Sequence, residues 1–237
     1  GLVHKALGDI GTSAAATALQ KALPGVPQES QLAFCEGLLR CADGFAAKGQ
    51  KRKAYEIYDA LSRYRSSLHQ VRTAALRGSV LMAGKSGTTR LVEGLRSPDF
   101  GEFLAAARVS QEIRGAAVTD ALVKELPKSN PDKQVVLLQA LGKRADATAL
   151  PEILTAARTY EKPVRIAAIR AVGELGVASA TPTLVDLMFQ TDREIAQAAQ
   201  ESLAGLPGTE VDAAVLSLLS AADPTKHSVG LDLVARR

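Results

Sequence analysis

Tryptophan is absent from the 237 residues, and phenylalanine and tyrosine together make up only 4% of them. Sheets built on β-branched and aromatic side chains are disfavoured by that composition, and alanine- and leucine-rich helices packed through small residues are favoured. Cysteine is nearly absent too. Cys35 and Cys41 lie six positions apart in one helical pattern, roughly 9 Å along the axis at 1.5 Å per residue, too far for a mutual disulfide. Both read as small buried hydrophobes. No run of eighteen apolar residues occurs, so no membrane-spanning helix is expected, and no basic stretch followed by an apolar core marks a signal peptide. The chain opens on Gly1 inside one helical pattern, LVHKALGDIG, and closes inside another, HSVGLDLVARR. It reads as a piece trimmed at both ends from a longer protein, with no compartment assigned.

Chemistry-bearing motifs are also missing. His4, His69 and His227 fall far apart with no cysteine or carboxylate at ligand spacing, so no metal is expected. No nucleophile elbow, phosphate-cradling glycine loop or HExxH string is found, and Asp120, Glu152 and Asp186 are spread over separate segments. No cofactor and no enzymatic activity are expected. A net charge of +4, from 29 basic and 25 acidic residues, is far from the concentrated footprint of a dedicated nucleic-acid binder.

What is present is a repeat. Glu161 to Gly176, EKPVRIAAIRAVGELG, has a face of small and branched apolar residues backed by a charged one. Steps of 31 from Ala171, with one of 41, collect Ala6, Gly37, Gly78, Val109, Ala140, Ser202 and Leu233. The same steps from Val172 collect Leu7, Leu38, Ser79, Ser110, Leu141, Leu203 and Val234, and from Ala167 they collect Leu2, Ala33, Ala74, Ala105, Val136, Ala198 and Val229. Columns one and four apart make one helix face. A second helix recurs through Leu19, Ala60, Leu91, Leu122, Ile153, Leu184 and Val215, so each period is a helical hairpin.

Punctuation agrees with that period. Pro151 and Pro182 suit the first turns of first helices, Pro24, Pro127 and Pro207 follow helical stretches as stops, and Asn130, Asp192 and Asp223 are placed to cap second helices. The long step falls around Asp43 to Lys53 and keeps helical periodicity on both sides of Lys48–Gln50. The stretch 33–66 there resembles a tetratricopeptide-type hairpin.

The string PVRIAAIRAVGELG, with its weaker copies QVRTAALRGSVLMAG, VVLLQALGKRAD and EIAQAAQESLAGL, resembles the second helix of HEAT repeats. The likeness is to the short variety of about 31 residues found in phycobilisome-lyase-like proteins. It implies an all-α, right-handed α-solenoid of about seven hairpins over residues 1–237, with second helices on the concave side. The resemblance also implies that Arg72 and Arg165 bond the turn of the neighbouring repeat. Scaffolds, transport receptors, lyases and DNA glycosylases share that frame, so function has to come from the surface. Neither a tetrapyrrole groove nor a concave cluster of aromatic and acidic residues is legible.

The expected function is a non-catalytic scaffold for a protein or peptide. The alternatives are an enzyme-associated solenoid and a weak binder of nucleic acid or another anionic ligand. An exposed column runs through Lys5, Glu36, Arg77, Arg108, Gln139, Arg170, Glu201 and Asp232; with Lys143 one turn beyond Gln139, its cations Arg77, Arg108 and Arg170 are candidates to bind acidic segments of a partner. The competing reading is a solvated face held by i,i+4 pairs, among them Lys5–Asp9, Glu36–Arg40, Arg108–Glu112 and Arg170–Glu174, each contributing about 0.2–0.5 kcal/mol. Arg77 is distinguished by having Leu81 where its local partner would stand. A basic cluster at Lys48, Lys51, Arg52 and Lys53, with Arg63 and Arg65, reads either as a solvated turn or as a contact for an anionic ligand.

Overall fold

A computed structural model describes Gly8, residues 11–64 and residues 69–237, and the described residues form fourteen α-helices and no strand. The chain divides into two compact units, Gly1–Ile113 and Arg114–Arg237. The first holds α1 (Ser13–Ala22), α2 (Gln28–Ala47), α3 (Lys51–Arg63), α4 (His69–Met82), α5 (Gly87–Arg96) and α6 (Phe100–Glu112). The second holds α7 (Ala116–Glu125), α8 (Pro131–Arg144), α9 (Leu150–Thr159), α10 (Lys162–Leu175), α11 (Thr181–Met188), α12 (Arg193–Gly205), α13 (Thr209–Leu219) and α14 (Pro224–Arg236). Odd-numbered helices are the first members of hairpins and even-numbered ones the second. Within each unit successive second helices pack on one another.

The caps stand where the sequence puts them. Side chains of Asn130, Asp192 and Asp223 accept from backbone N–H groups in the first turns of α8, α12 and α14, and Asp99 does the same for α6. Pro151 and Pro182 sit in the first turns of α9 and α11, where a missing N–H costs nothing.

The repeat columns become the core. Gly37, Gly78, Val109, Ala140, Ala171, Ser202 and Leu233 are all buried. In the neighbouring column Leu38, Ser79, Ser110, Leu141, Val172 and Leu203 are buried, while Val234 is 53% exposed. Small residues permit close stacking: a Cβ on Gly142 of α8 would lie 3.0 Å from the Cα of Ala171 on α10, and one on Gly78 of α4 would meet the Tyr58 ring at 2.6 Å.

One register needs correcting. Ala60 is exposed and Leu61 takes its place in the core, with Ile57 and Tyr58 beside it; Ala74 is exposed as well. The added length enters through the 20-residue α2 and the turn Lys48–Gln50, where Gly49 has φ +72°, and α3 is rotated so that its aromatic and branched residues face inward. Column members Leu2, Ala6, Leu7 and Lys5, with His4, Asp9 and Arg65, lie outside the described residues.

Cys35 and Cys41 are buried free thiols in the core of the first unit, together with Phe45, Ile57 and Tyr58. Burial, reinforced by neighbouring Glu36, pushes the Cys35 thiol up to about 11. Burial also raises the Tyr58 hydroxyl, which donates to the Asp43 carboxylate.

Candidate functional site

The exposed column is exposed in every described copy: Glu36, Arg77, Arg108, Gln139, Arg170, Glu201 and Asp232 all face solvent, and so does Lys143. What surrounds each cation differs from the i,i+4 pattern. Arg77 is not unpaired, because its Nε donates to Glu112 Oε2 at 2.7 Å from α4 to the end of α6. Glu112 is thereby taken up across the stack, and the expected Arg108–Glu112 pair is not formed. Nor is Arg170–Glu174, since the Glu174 side chain lies in the space that Gly142 leaves open on α8. Arg108 in the first unit, and Lys143 and Arg170 in the second, therefore have no ion pair among the described residues.

Exposed apolar side chains accompany Arg108. Leu32, Leu81, Phe100, Leu104, Leu231 and Val234 are the exposed large hydrophobics on second helices, and among the described residues only Leu216 adds to them from a first helix. Phe100, Leu104 and Arg108 follow one another at intervals of four, which sets two apolar groups and a free guanidinium in one stripe along α6. Phe100 is also stacked on buried Phe103, with ring centroids 5.6 Å apart, so its orientation is fixed from beneath.

Arg72 and Arg165 do what the resemblance implies. Arg72 Nη1 reaches the Asp99 carboxylate at 3.2 Å, and Asp99 caps α6. Arg165 donates to the Ala157 carbonyl at 2.9 Å and to Gln190 Oε1 at 2.6 Å in the next turn. Lys162 adds a contact of 2.9 Å to Asp192, the cap of α12. Hydrogen bonds to Lys162 and to the first turn of α12 hold the Asp192 carboxyl below its ordinary value.

The basic cluster is exposed at the α2–α3 turn, with Arg52 bonded to Glu56 at 3.1 Å and Lys53 lying 5.4 Å above the Phe45 ring. Glu152 accepts from the Tyr160 hydroxyl at 3.3 Å, and Asp120, Glu152 and Asp186 stand on α7, α9 and α11 respectively.

A feature overlooked in the sequence is Arg90, 3% exposed on α5. Its Nε bonds Asp59 Oδ1 at 2.7 Å and its Nη2 bonds Ser62 Oγ at 2.8 Å on α3, with Glu102 at 3.5 Å. Arg63 joins the network at Asp59 (3.1 Å) and Glu93 (3.2 Å). The signal was available: Asp59 and Arg90 are one period of 31 apart, so the stack places them at neighbouring levels of the first helices.

The stacked hairpins, buried small-residue columns and turn-bonding arginines coincide with a family match: residues 119–204 match the model for HEAT repeats. That segment is made of HEAT repeats. It runs from within α7 through most of α12 and includes Lys143, Arg165 and Arg170. No curated protein matches the chain. Among solved structures, an engineered protein is 19% identical, with 98% of this chain and 73% of that one covered and a TM-score of 0.47. Human deoxyhypusine hydroxylase, solved with glycerol, is 16% identical over 86% of this chain and 78% of its own, with a TM-score of 0.47. The CpcE–CpcF complex of phycocyanin lyase from a Nostoc species is 20% identical over 84% and 81%, with a TM-score of 0.39. None of these likenesses transfers an activity to the HEAT segment or to the residues before it.

Proposed function

We propose that the chain is a non-catalytic interaction module that holds a partner protein or peptide on the exposed faces of its second helices. Acidic segments of the partner meet Arg108 in the first unit and Lys143 and Arg170 in the second. The observation that carries this reading is that these three cations stand exposed on second helices without an ion pair among the described residues, and that on α6 Phe100 and Leu104 share a stripe with Arg108. A cation without a local carboxylate contributes little to helix stability, whereas a guanidinium offers a carboxylate a planar fork of donors. Beside Arg108, exposed Phe100 and Leu104 supply the apolar contact on which binding energy concentrates.

Arg77 does not belong to the set. Its bond to Glu112 links α4 to α6, so its replacement perturbs the stack as well as the surface. The test uses binders recovered by pull-down on the full chain. Replacing Arg108, Lys143 and Arg170 together with Glu is expected to abolish their binding while moving the melting temperature by only a few degrees, since an exposed cation that forms no ion pair contributes well under about 1 kcal/mol. Retained binding by the triple variant refutes the reading.

A further inference from the structure

Between α11 and α13 the second unit has a groove of about 600 Å³. Thr181, Val185, Ala214 and Leu218 are its buried and half-buried lining, and Asp186 and Glu210 stand exposed on it. This level differs from the one before it in what crosses the gap. Between α9 and α11 the gap is crossed by Arg158, whose Nη2 donates to Thr183 Oγ1 at 2.8 Å. One period of 31 further on, those two positions are Phe189 and Ala214, so no side chain can make the same polar strut. In the first unit α3 and α5 are likewise tied by arginine, through Arg90–Asp59 and Arg63–Glu93.

The charge here is predominantly negative. Residues 171–237 contain nine Asp and Glu against four Lys and Arg. Three of the four cations are occupied: Arg237 on Asp212 at 2.6 Å, Arg236 near Asp232 at 3.7 Å, and Lys226 at 5.8 Å over the Phe189 ring. Asp186 and Glu210 have no ion pair among the described residues. Glu210 lies in the first turn of α13, where the helix dipole favours a carboxylate, but Asp186 lies in the last turn of α11, where the dipole opposes it. Helix stability therefore gives no reason for the second carboxylate.

We infer that this groove binds an arginine-bearing aliphatic segment of a partner protein. The incoming guanidinium takes the place of the missing strut, donating to the exposed carboxylates while its stem and its neighbours cover Val185, Ala214 and Leu218. Arginine suits the site better than lysine, because its planar fork matches carboxylates and its weaker hydration makes it easier to seat in a half-apolar groove. This surface is on first helices and is opposite in charge to the proposed second-helix surface, so the two stand independently.

The probe is a fluorescent helical peptide of leucine and alanine with two arginines four residues apart, compared with its citrulline counterpart, titrated against the full chain. The arginine peptide is expected to bind at least about tenfold tighter than the citrulline one, a difference of about 1.4 kcal/mol. Asp186→Asn with Glu210→Gln is expected to remove that preference, whereas Asp132→Asn, an exposed carboxylate on α8, leaves it intact. Phe189→Arg with Ala214→Thr restores the strut from within; it is expected to block the peptide without loss of helical content. The Arg108, Lys143 and Arg170 triple variant is expected to bind the peptide normally. Equal affinity for both peptides, or indifference to the Asp186 and Glu210 substitutions, overturns the inference. So does salt-sensitive self-association of the protein that those two substitutions abolish, which assigns the groove to basic residues of a second copy.

Discussion

Replacing Arg90 with Leu tests whether the first helices of the first unit are held together by charge. The guanidinium is 3% exposed and its loss strips Asp59, Ser62 and Glu102 of a partner at 2.7, 2.8 and 3.5 Å. Breaking a buried pair by removing one member costs about 3–5 kcal/mol, because the other charge is left behind. Asp59 is 23% exposed and keeps Arg63 at 3.1 Å, so the lower end, about 3 kcal/mol, is expected. With an unfolding entropy of about 2.1 cal/mol/K per residue, a unit of this size loses about 12 °C of melting temperature. Near-UV circular dichroism reads this unit selectively, since Tyr55, Tyr58 and Tyr64 are in it and only Tyr160 is in the other. The double variant Asp59→Leu with Arg90→Leu removes the orphaned carboxylate along with its partner, and is expected to recover at least half the loss. If Arg90→Leu melts within about 2 °C of the parent, or if the double variant falls by the sum of the single changes, the network is not what joins α3 to α5.

Ala171→Glu places a carboxylate where α8 and α10 approach backbone to backbone at Gly142; it is expected to cost at least about 3 kcal/mol, and a parent-like melt would show the column assignment to be wrong. Alkaline titration gives a third check. The Cys35 thiol is raised from an ordinary value of 9.0 to about 11, so its neutral form is favoured by folding: that contribution is complete below pH 9 and is lost as pH rises toward 11. Urea midpoints of the parent are expected to fall across that window more steeply than those of Cys35→Ala; identical slopes would refute the assignment.

Much of the fold was legible because hairpin stacking repeats a spacing. The period gave the buried columns, and residues with local jobs, such as Asp192 at a cap or Pro182 in a first turn, could be placed without neighbours. What was misread depended on contacts between levels. A rigid shift of the longer step puts Ala60 in the core, whereas the length of α2 turns α3 and brings Leu61 inside. The partner of Arg77 is not legible at helical spacing, because Glu112 is 35 residues away. The groove beside Asp186 was invisible for a related reason: it is the absence of a pair, Arg158–Thr183, at the following level.

The caps of α6 and α12 have one more consequence. Asp99 both starts its own helix and receives Arg72, and Asp192 both starts its helix and receives Lys162. The same oxygen-bearing group therefore reports to two levels of the stack. Initiation of one hairpin's second helix is thereby coupled to the hairpin before it, reciprocally and by electrostatics. Added salt, which screens exposed pairs of this kind, then loosens the coupling between levels more than it weakens the helices themselves.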